Sequence, residues 1–138
     1  MDYANISRDT ISHLYSAYAS LHDSPLSKEL RTLIELRVSQ INKCKYCCNL
    51  HRTEAIKLGV SLDKVNALEQ FINSNDYSNE ERAALSWAEL LTKLDNITMV
   101  KETKLYLYFS EREIVDLTIC ISLMNAFNRL AISMCDKS

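Results

Sequence analysis

Glycine and proline are nearly absent from this chain of 138 residues, in which Gly59 and Pro25 are the only representatives. Glycine-rich phosphate loops and the dinucleotide-binding fingerprint need several glycines, because their tight backbone turns exclude other residues. A β-sandwich needs turn residues between many short strands, and few are present here. The scarcity of both residue types excludes glycine-rich phosphate and dinucleotide sites and disfavours a turn-rich β fold.

Apolar residues recur at three- and four-residue spacing along nearly the whole chain, without sustained two-residue alternation. Two capping boxes, Ser78 with Glu81 and Ser110 with Glu113, predict where two of the helices start. The predicted helices cover residues 7–21, 27–41, 44–59, 61–71, 78–94, 99–108 and 110–134. The pattern predicts one all-α domain of about six or seven helices over residues 1–138, whose apolar last helix is central or lies in a subunit interface.

The composition is that of a globular protein, with 47% apolar and 25% charged residues. The net charge is −2 and no basic stripe is present, so we expect no nucleic-acid partner. No apolar run approaches the roughly 20 residues that cross a bilayer, so we expect no membrane partner. The first ten residues lack the basic start and apolar stretch of a secretory signal, which favours a cytoplasmic location.

Five cysteines in a chain without an export signal indicate reduced thiols, metal ligands or a catalytic pair. Cys44, Cys47 and His51 form a Cys-x-x-Cys-x-x-x-His run, and on a helix these spacings share one face. A neighbouring imidazole and a helix N-terminus both favour the reactive thiolate. If Asn42 or Lys43 caps the helix, Cys44 lies in its first turn. The run predicts a redox dithiol with its own base, and does not rank the two sulfurs as nucleophiles.

Glu35 lies nine residues before Cys44, so one unbroken helix would point the two side chains in nearly opposite directions. A break at residues 42–43 would let the second helix fold alongside the third and aim Glu35 at His51. A carboxylate there would fix the imidazole tautomer and let it relay a proton from Cys47. The alternative is a solvated glutamate on an amphipathic helix.

Three segments follow one another between residues 26 and 132: LRVSQINKCKYCCNLHRTEAIKLGV, ERAALSWAELLT and FSEREIVDLTICISLMNAFNRLAI. They resemble, in the same order, the AhpD-like alkylhydroperoxidases of the carboxymuconolactone decarboxylase superfamily. The resemblance implies an all-helical AhpD-like fold that assembles into homo-oligomers, often trimers or hexamers. It also implies an antioxidant peroxidase or disulfide-reductase activity run by the cysteine pair.

The same resemblance implies roles for individual residues. Glu35 and His51 would relay a proton from Cys47, whose thiolate reduces a hydroperoxide and passes through a sulfenic acid, after which Cys44 closes the disulfide. An external dithiol, for which a lipoyl group is a candidate, would reopen it, and no cofactor would be tightly bound. Tyr46 stands where AhpD itself has a histidine, and it is included among the candidate catalytic residues.

Zinc binding is the alternative use of this helix face, which offers the side chains of Cys44, Cys47, Cys48 and His51. Structural zinc draws its ligands from two chain segments around a tetrahedron, and one helical face cannot surround an ion. We therefore predict no metal. The remaining cysteines are expected to be core residues: Cys48, Cys120 and Cys135.

The pattern leaves three further functions open. The dithiol could serve a general disulfide oxidoreductase, or a non-catalytic oligomer that senses redox state. The superfamily also contains a cofactor-free lyase that acts on a carboxylated lactone, but its decarboxylase branch lacks the cysteine pair. The redox enzyme is the preferred interpretation.

Overall fold

In the computed structural model, which describes residues 1–135, every regular element is a helix. The α-helices in that range are α1 Tyr3–Ile6, α2 Arg8–Ser20, α3 Lys28–Ile41, α4 Lys45–Lys57, α5 Leu62–Asn66, α6 Asn79–Lys93 and α7 Glu111–Met134. Short 3-10 helices lie at Leu21–Asp23, Leu68–Asn73, Val100–Glu102 and Leu105–Leu107. The prediction of an all-α fold is confirmed.

Helix α3 lies at the centre of the fold and contacts α4, α6 and α7. Its apolar residues Leu33, Ile34 and Val38 are fully buried, as the helical spacing predicts. Helix α2 packs on α7, where the ring of Phe127 lies 5.3 Å from that of Tyr15. The central position of α3 matters for function because it brings a buried face of this helix against α4.

The starts of the long helices follow from their capping residues. The Ser27 hydroxyl accepts the Leu30 N–H at the start of α3. The two capping boxes are formed as predicted, with each serine hydroxyl accepting a backbone N–H and each glutamate accepting one in return. These bonds satisfy N–H groups that have no partner inside a helix.

Two of the predicted helices are each divided in the structure, whereas the helix predicted over residues 7–21 is formed as α2. The helix predicted over residues 61–71 consists of α5 and the 3-10 helix Leu68–Asn73, with Ala67 between them. The helix predicted over residues 99–108 is two short 3-10 helices, because Thr103 interrupts it. The Thr103 hydroxyl donates to the Val100 carbonyl and accepts the Leu105 N–H, and such local bonds compete with a continuous helix.

The chain reverses direction between α3 and α4 at the predicted break. Lys43 has a positive φ of 59° and its N–H bonds the Gln40 carbonyl, while the Cys44 N–H bonds the Ser39 carbonyl. This pair of bonds is the Schellman pattern, in which the residue after the helix is left-handed. The break lets α4 fold back against α3 and places the first cysteine at the N-cap of the new helix.

Within residues 1–135, α7 is long and apolar enough to cross a membrane by length and composition, contrary to the expectation of no such run. Its contacts place it in the core. Leu117, Ile121 and Met124 are buried, and the helix packs on α3 and α6. Val115 and Ile119 on the same helix are exposed. The helix is therefore central, which is one of the two positions predicted for it, and the subunit interface stays a prediction.

Candidate active site

The two cysteines of the Cys-x-x-Cys run are joined as a disulfide, with their Cα atoms 5.3 Å apart. Cys44 is the N-cap of α4 and not part of its first turn as predicted. Lys43, in the left-handed region, ends the turn that follows α3, so α4 starts at Lys45, one residue later than predicted. Cys47 is therefore the third residue of α4. Free N–H groups at a helix N-terminus favour a thiolate, so in the reduced protein this effect acts on Cys47 as well as on Cys44.

Both sulfur-bearing side chains are sheltered from water. Cys44 is fully buried and Cys47 is 6% exposed, and the two form one buried cluster with Ala131 of α7. The slight opening at Cys47 makes it the more accessible of the two sulfurs. The structure therefore favours Cys47 over Cys44 for direct contact with a small substrate.

His51 follows Cys47 by one helical turn and is buried. Its ring nitrogen Nδ1 lies 3.1 Å from Oε2 of Glu35 on α3 and 3.1 Å from Oε2 of Glu54 on α4. The predicted pairing of Glu35 with His51 is thus formed, and the alternative of a solvated Glu35 is excluded. A carboxylate on Nδ1 leaves the other ring nitrogen, Nε2, free for proton exchange with a sulfur.

Glu35 is one of the most deeply buried side chains of the protein, at 1% exposure. Its second oxygen, Oε1, accepts the hydroxyl of Tyr18 at 2.9 Å and lies 3.7 Å from Sγ of Cys120. The guanidinium of Arg31 is 3.8 Å from the same oxygen. A buried carboxylate needs such partners, because an unpaired charge away from water is costly.

The charge of His51 is set by two opposing effects. Burial disfavours the imidazolium, but hydrogen bonds and charge attraction from Glu35 and Glu54 outweigh it, so the pKa of His51 is raised above its ordinary value of 6.5. Burial, followed by repulsion from the Glu35 carboxylate, also raises the pKa of the Cys120 thiol well above its usual range. Cys120 consequently stays a thiol beside the relay.

An amide network holds the joint that precedes the cysteines. The Asn42 side-chain NH₂ donates to Oδ1 of Asn125 at 2.9 Å and to Oδ1 of Asn128 at 3.0 Å, both on α7. The Asn128 amide in turn donates to the Ser39 hydroxyl on α3. These polar residues of an otherwise apolar helix fasten α7 to the α3–α4 joint. They thereby fix the position of Cys44.

Tyr46 is not brought into the cluster around His51. Its side chain is 63% exposed, although it lies between the two cysteines. At this position the helix face turns towards solvent, because Tyr46 precedes Cys47 and is rotated by about 100° from it. Cys48, predicted in the core, is half-buried and packs against the core's edge, where burial raises the pKa of its thiol.

Four residues that interact with Glu35 or His51 were not predicted as part of the site. Glu54 and Arg31 could have been found, because Glu54 follows His51 by three residues and Arg31 precedes Glu35 by four. Tyr18 and Cys120 could not, since they come from α2 and α7, and no local pattern relates those segments to Glu35. Only the packing of α2 and α7 on α3 brings them together.

One group of potential metal ligands occurs in this region. Ligand atoms of Glu35, His51 and Glu54 lie within 4.8 Å of one another. This set differs from the zinc alternative weighed above, which relied on Cys44 and Cys47. Those two sulfurs are bonded to each other, and a disulfide offers no thiolate to a metal.

Comparison with known proteins relates this chain to one protein family, both in sequence and in structure. Residues 10–90, more than half of the chain, match the model of the carboxymuconolactone decarboxylase family. YdfG of Bacillus subtilis, an uncharacterised protein, is 31% identical over 117 residues that cover 83% of this chain and 80% of YdfG. A protein of unknown function from Agrobacterium tumefaciens, provisionally named as the antioxidant defence protein AhpD, superposes with a TM-score of 0.86 at 29% identity, covering 99% of this chain and 94% of that one.

A second similar structure belongs to a protein with a different named activity. The debrominase Bmp8 superposes with a TM-score of 0.84 at 23% identity, covering 94% of this chain and 71% of its own. At that level of identity the similarity concerns the fold alone. The fold therefore does not select a single reaction.

Proposed function

Since the chain belongs to the carboxymuconolactone decarboxylase family, as an AhpD-like member, we propose that it is a thiol-dependent peroxidase that reduces hydroperoxides in antioxidant defence. Cys44 and Cys47 are the redox pair, and Glu35 with His51 is the proton relay. The observation that carries the proposal is the buried Glu35–His51 pair one turn behind a Cys-x-x-Cys disulfide at a helix N-terminus. A dithiol that only stabilised the fold would not need a base beside it.

The oxidative half of the cycle balances within the site. His51 takes the proton of Cys47, and the thiolate attacks the distal oxygen of the hydroperoxide, so that the O–O bond breaks and Cys47 becomes a sulfenic acid. The leaving alkoxide takes the proton from His51 and departs as an alcohol. Cys44 then attacks the sulfenic sulfur, water leaves and the disulfide forms. Two electrons pass from the two thiols to the peroxide.

The reductive half needs an external dithiol, and a lipoyl group is our candidate donor. Thiol–disulfide exchange passes through a mixed disulfide, and it returns two electrons and two protons to the pair. Cys47, as the more exposed sulfur, is the expected point of attack. In this proposal the enzyme works in the cytoplasm as a homotrimer or homohexamer and holds no cofactor tightly.

Steady-state reduction of an organic hydroperoxide with dihydrolipoamide tests the function. Wild-type protein is expected to turn over many times, whereas Cys44→Ser and Cys47→Ser are each expected to lose catalytic turnover. Cys47→Ser removes the peroxide-reactive thiol, but Cys44→Ser still consumes about one equivalent and accumulates a sulfenic acid. Cys48→Ser is the matched control, because this neighbouring thiol lies outside the disulfide, and it is expected to keep wild-type activity.

The alternatives predict different outcomes of the same experiment. A general disulfide oxidoreductase would reduce disulfide substrates but not the hydroperoxide. A redox sensor would be oxidised once, with a change in oligomer size or partner binding and no turnover. Full peroxidase activity in Cys47→Ser would contradict the assignment, and a lyase would keep its activity after the loss of both cysteines.

A further inference from the structure

Nδ1 of His51 faces two carboxylates that differ in their access to water. Glu35 and Glu54 approach this nitrogen at the same distance of 3.1 Å. The side chain of Glu35 is 1% exposed and that of Glu54 is 43% exposed. A single N–H on Nδ1 can be shared between two acceptors, but only the accessible acceptor can pass that proton on to solvent.

A cavity of about 380 Å³ opens on the carboxylate side of the relay. Glu35 and Glu54 both contribute to its wall, whereas Cys44, Cys47 and His51 are not among the described residues that line it. Water in this cavity therefore meets a carboxylate before it meets the imidazole. The Oε1 atom of Glu35 is already engaged by Tyr18, which leaves Glu54 as the open contact.

The proposed cycle requires proton exchange that the sulfurs cannot make directly. Cys44 is fully buried and Cys47 nearly so. A donor dithiol ionises in water before it attacks the disulfide, so the proton it loses is released outside the protein. Attack on Cys47 expels Cys44 as a thiolate, and Cys47 leaves as a thiolate when the second donor sulfur closes the donor's own disulfide. The Cys47 thiolate must then regain a proton by another route, and His51, the base that follows it by one helical turn, is itself buried.

On the basis of the proposed redox function, we infer that Glu54 exchanges protons between His51 and the water of the cavity. In the oxidative half, the proton of Cys47 stays on His51 until the alkoxide takes it. In the reductive half, Nε2 of His51 donates a proton to the Cys47 thiolate, and Nδ1 receives one from Glu54, which takes it from the cavity water. Because Glu54 acts through His51 and does not touch the reacting sulfur, it is a positioning residue.

Charged groups around the cavity support this role. Arg31 of α3 lies against Glu35 and hydrogen-bonds His22, while Lys28 and Lys57 lie at the cavity wall. These positive charges line the same cavity as the Glu54 carboxylate. From α2 and α7, the groups that face the relay are the Tyr18 hydroxyl and the Cys120 thiol, and both have pKa values raised by burial and by Glu35. Both therefore stay protonated and do not compete for the proton.

Rapid mixing of the oxidised protein with dithiothreitol tests the inference without peroxide. Glu54→Ala is expected to slow disulfide reduction by about 10- to 100-fold in weak buffer. A small proton carrier such as imidazole should restore the rate in proportion to its concentration, while the wild-type rate stays independent of buffer. Glu102→Ala, at an exposed glutamate remote from the site, is the control. Glu54→Gln, which keeps the side-chain size, should resemble Glu54→Ala.

The outcomes separate this inference from the proposed function. A wild-type rate in Glu54→Ala, or a slow rate that no carrier restores, would overturn the role of Glu54. Nuclear magnetic resonance of His51 adds a second readout, since the loss of Glu54 should lower the pKa of the imidazole without releasing its ring from Glu35. Wild-type protein could fail to reduce hydroperoxides while imidazole still restores the rate at which dithiothreitol reduces Glu54→Ala. In that case the peroxidase assignment fails and the proton route through Glu54 stands.

Discussion

The two sides of His51 differ in their contact with water. On the sulfur side, Cys44, Cys47 and Ala131 form a buried apolar cluster. On the carboxylate side, Glu35 and Glu54 line an open cavity. The two sulfurs are thus shielded from bulk water. In our proposal, proton exchange with solvent takes place at Glu54, on the cavity side. The imidazole is the link between the two environments.

Loss of His51 should have the largest effect, because it removes the link itself. We expect His51→Ala to lower peroxide turnover by about 10²- to 10⁴-fold, the usual contribution of a positioned acid–base group. His13→Ala, at an exposed histidine of α2, is the matched control. Equal rates for His51→Ala and His13→Ala would show that the cysteine pair reduces peroxide without proton transfer through His51.

Loss of the Glu35 charge should change both the rate and its pH dependence. His51 acts as a base only when neutral, and its pKa is raised, so the wild-type rate should rise with pH along a limb centred above 6.5. In Glu35→Gln, burial opposes the imidazolium with only Glu54 left to favour it, so the limb should shift to lower pH. We expect the maximum rate to fall about 100-fold. Glu29→Gln, exposed on the same helix, should leave the profile unchanged.

Loss of the Asn42 amide should have the smallest effect on chemistry and act on stability. Asn42→Ala removes two hydrogen bonds, and it takes from the buried Oδ1 of Asn128 its donor, while Oδ1 of Asn125 keeps the hydrogen bond from Arg129. We expect the free energy of unfolding to fall by about 1–3 kcal/mol, measured by urea denaturation. Asn49→Ala, exposed on α4, should change it little. A large loss of turnover with unchanged stability would mean that the amide network belongs to the chemistry.

Local sequence signals were reliable where the structure depends on neighbouring residues. Capping serines placed the starts of α3, α6 and α7, because each cap bonds a backbone group three residues away. The segment over residues 99–108 was misjudged for a related reason, since the apolar spacing concealed the bonds of the Thr103 hydroxyl. Periodicity describes which face is apolar, and it does not reveal a side chain that competes for the backbone.

Within the candidate site, the sequence by itself determined the Cys-x-x-Cys-x-x-x-His spacing, the helical break before it and the contact between His51 and Glu54, all of which depend on separations of a few residues. Tertiary structure decided the rest. The burial of Glu35, its contacts with Tyr18 and Cys120, and the open cavity behind them depend on three helices packing against α3. Residues that are distant in sequence come into contact only when the apolar faces of their helices pack together. The local sequence pattern shows which face of each helix is apolar, but not which helix will pack against it.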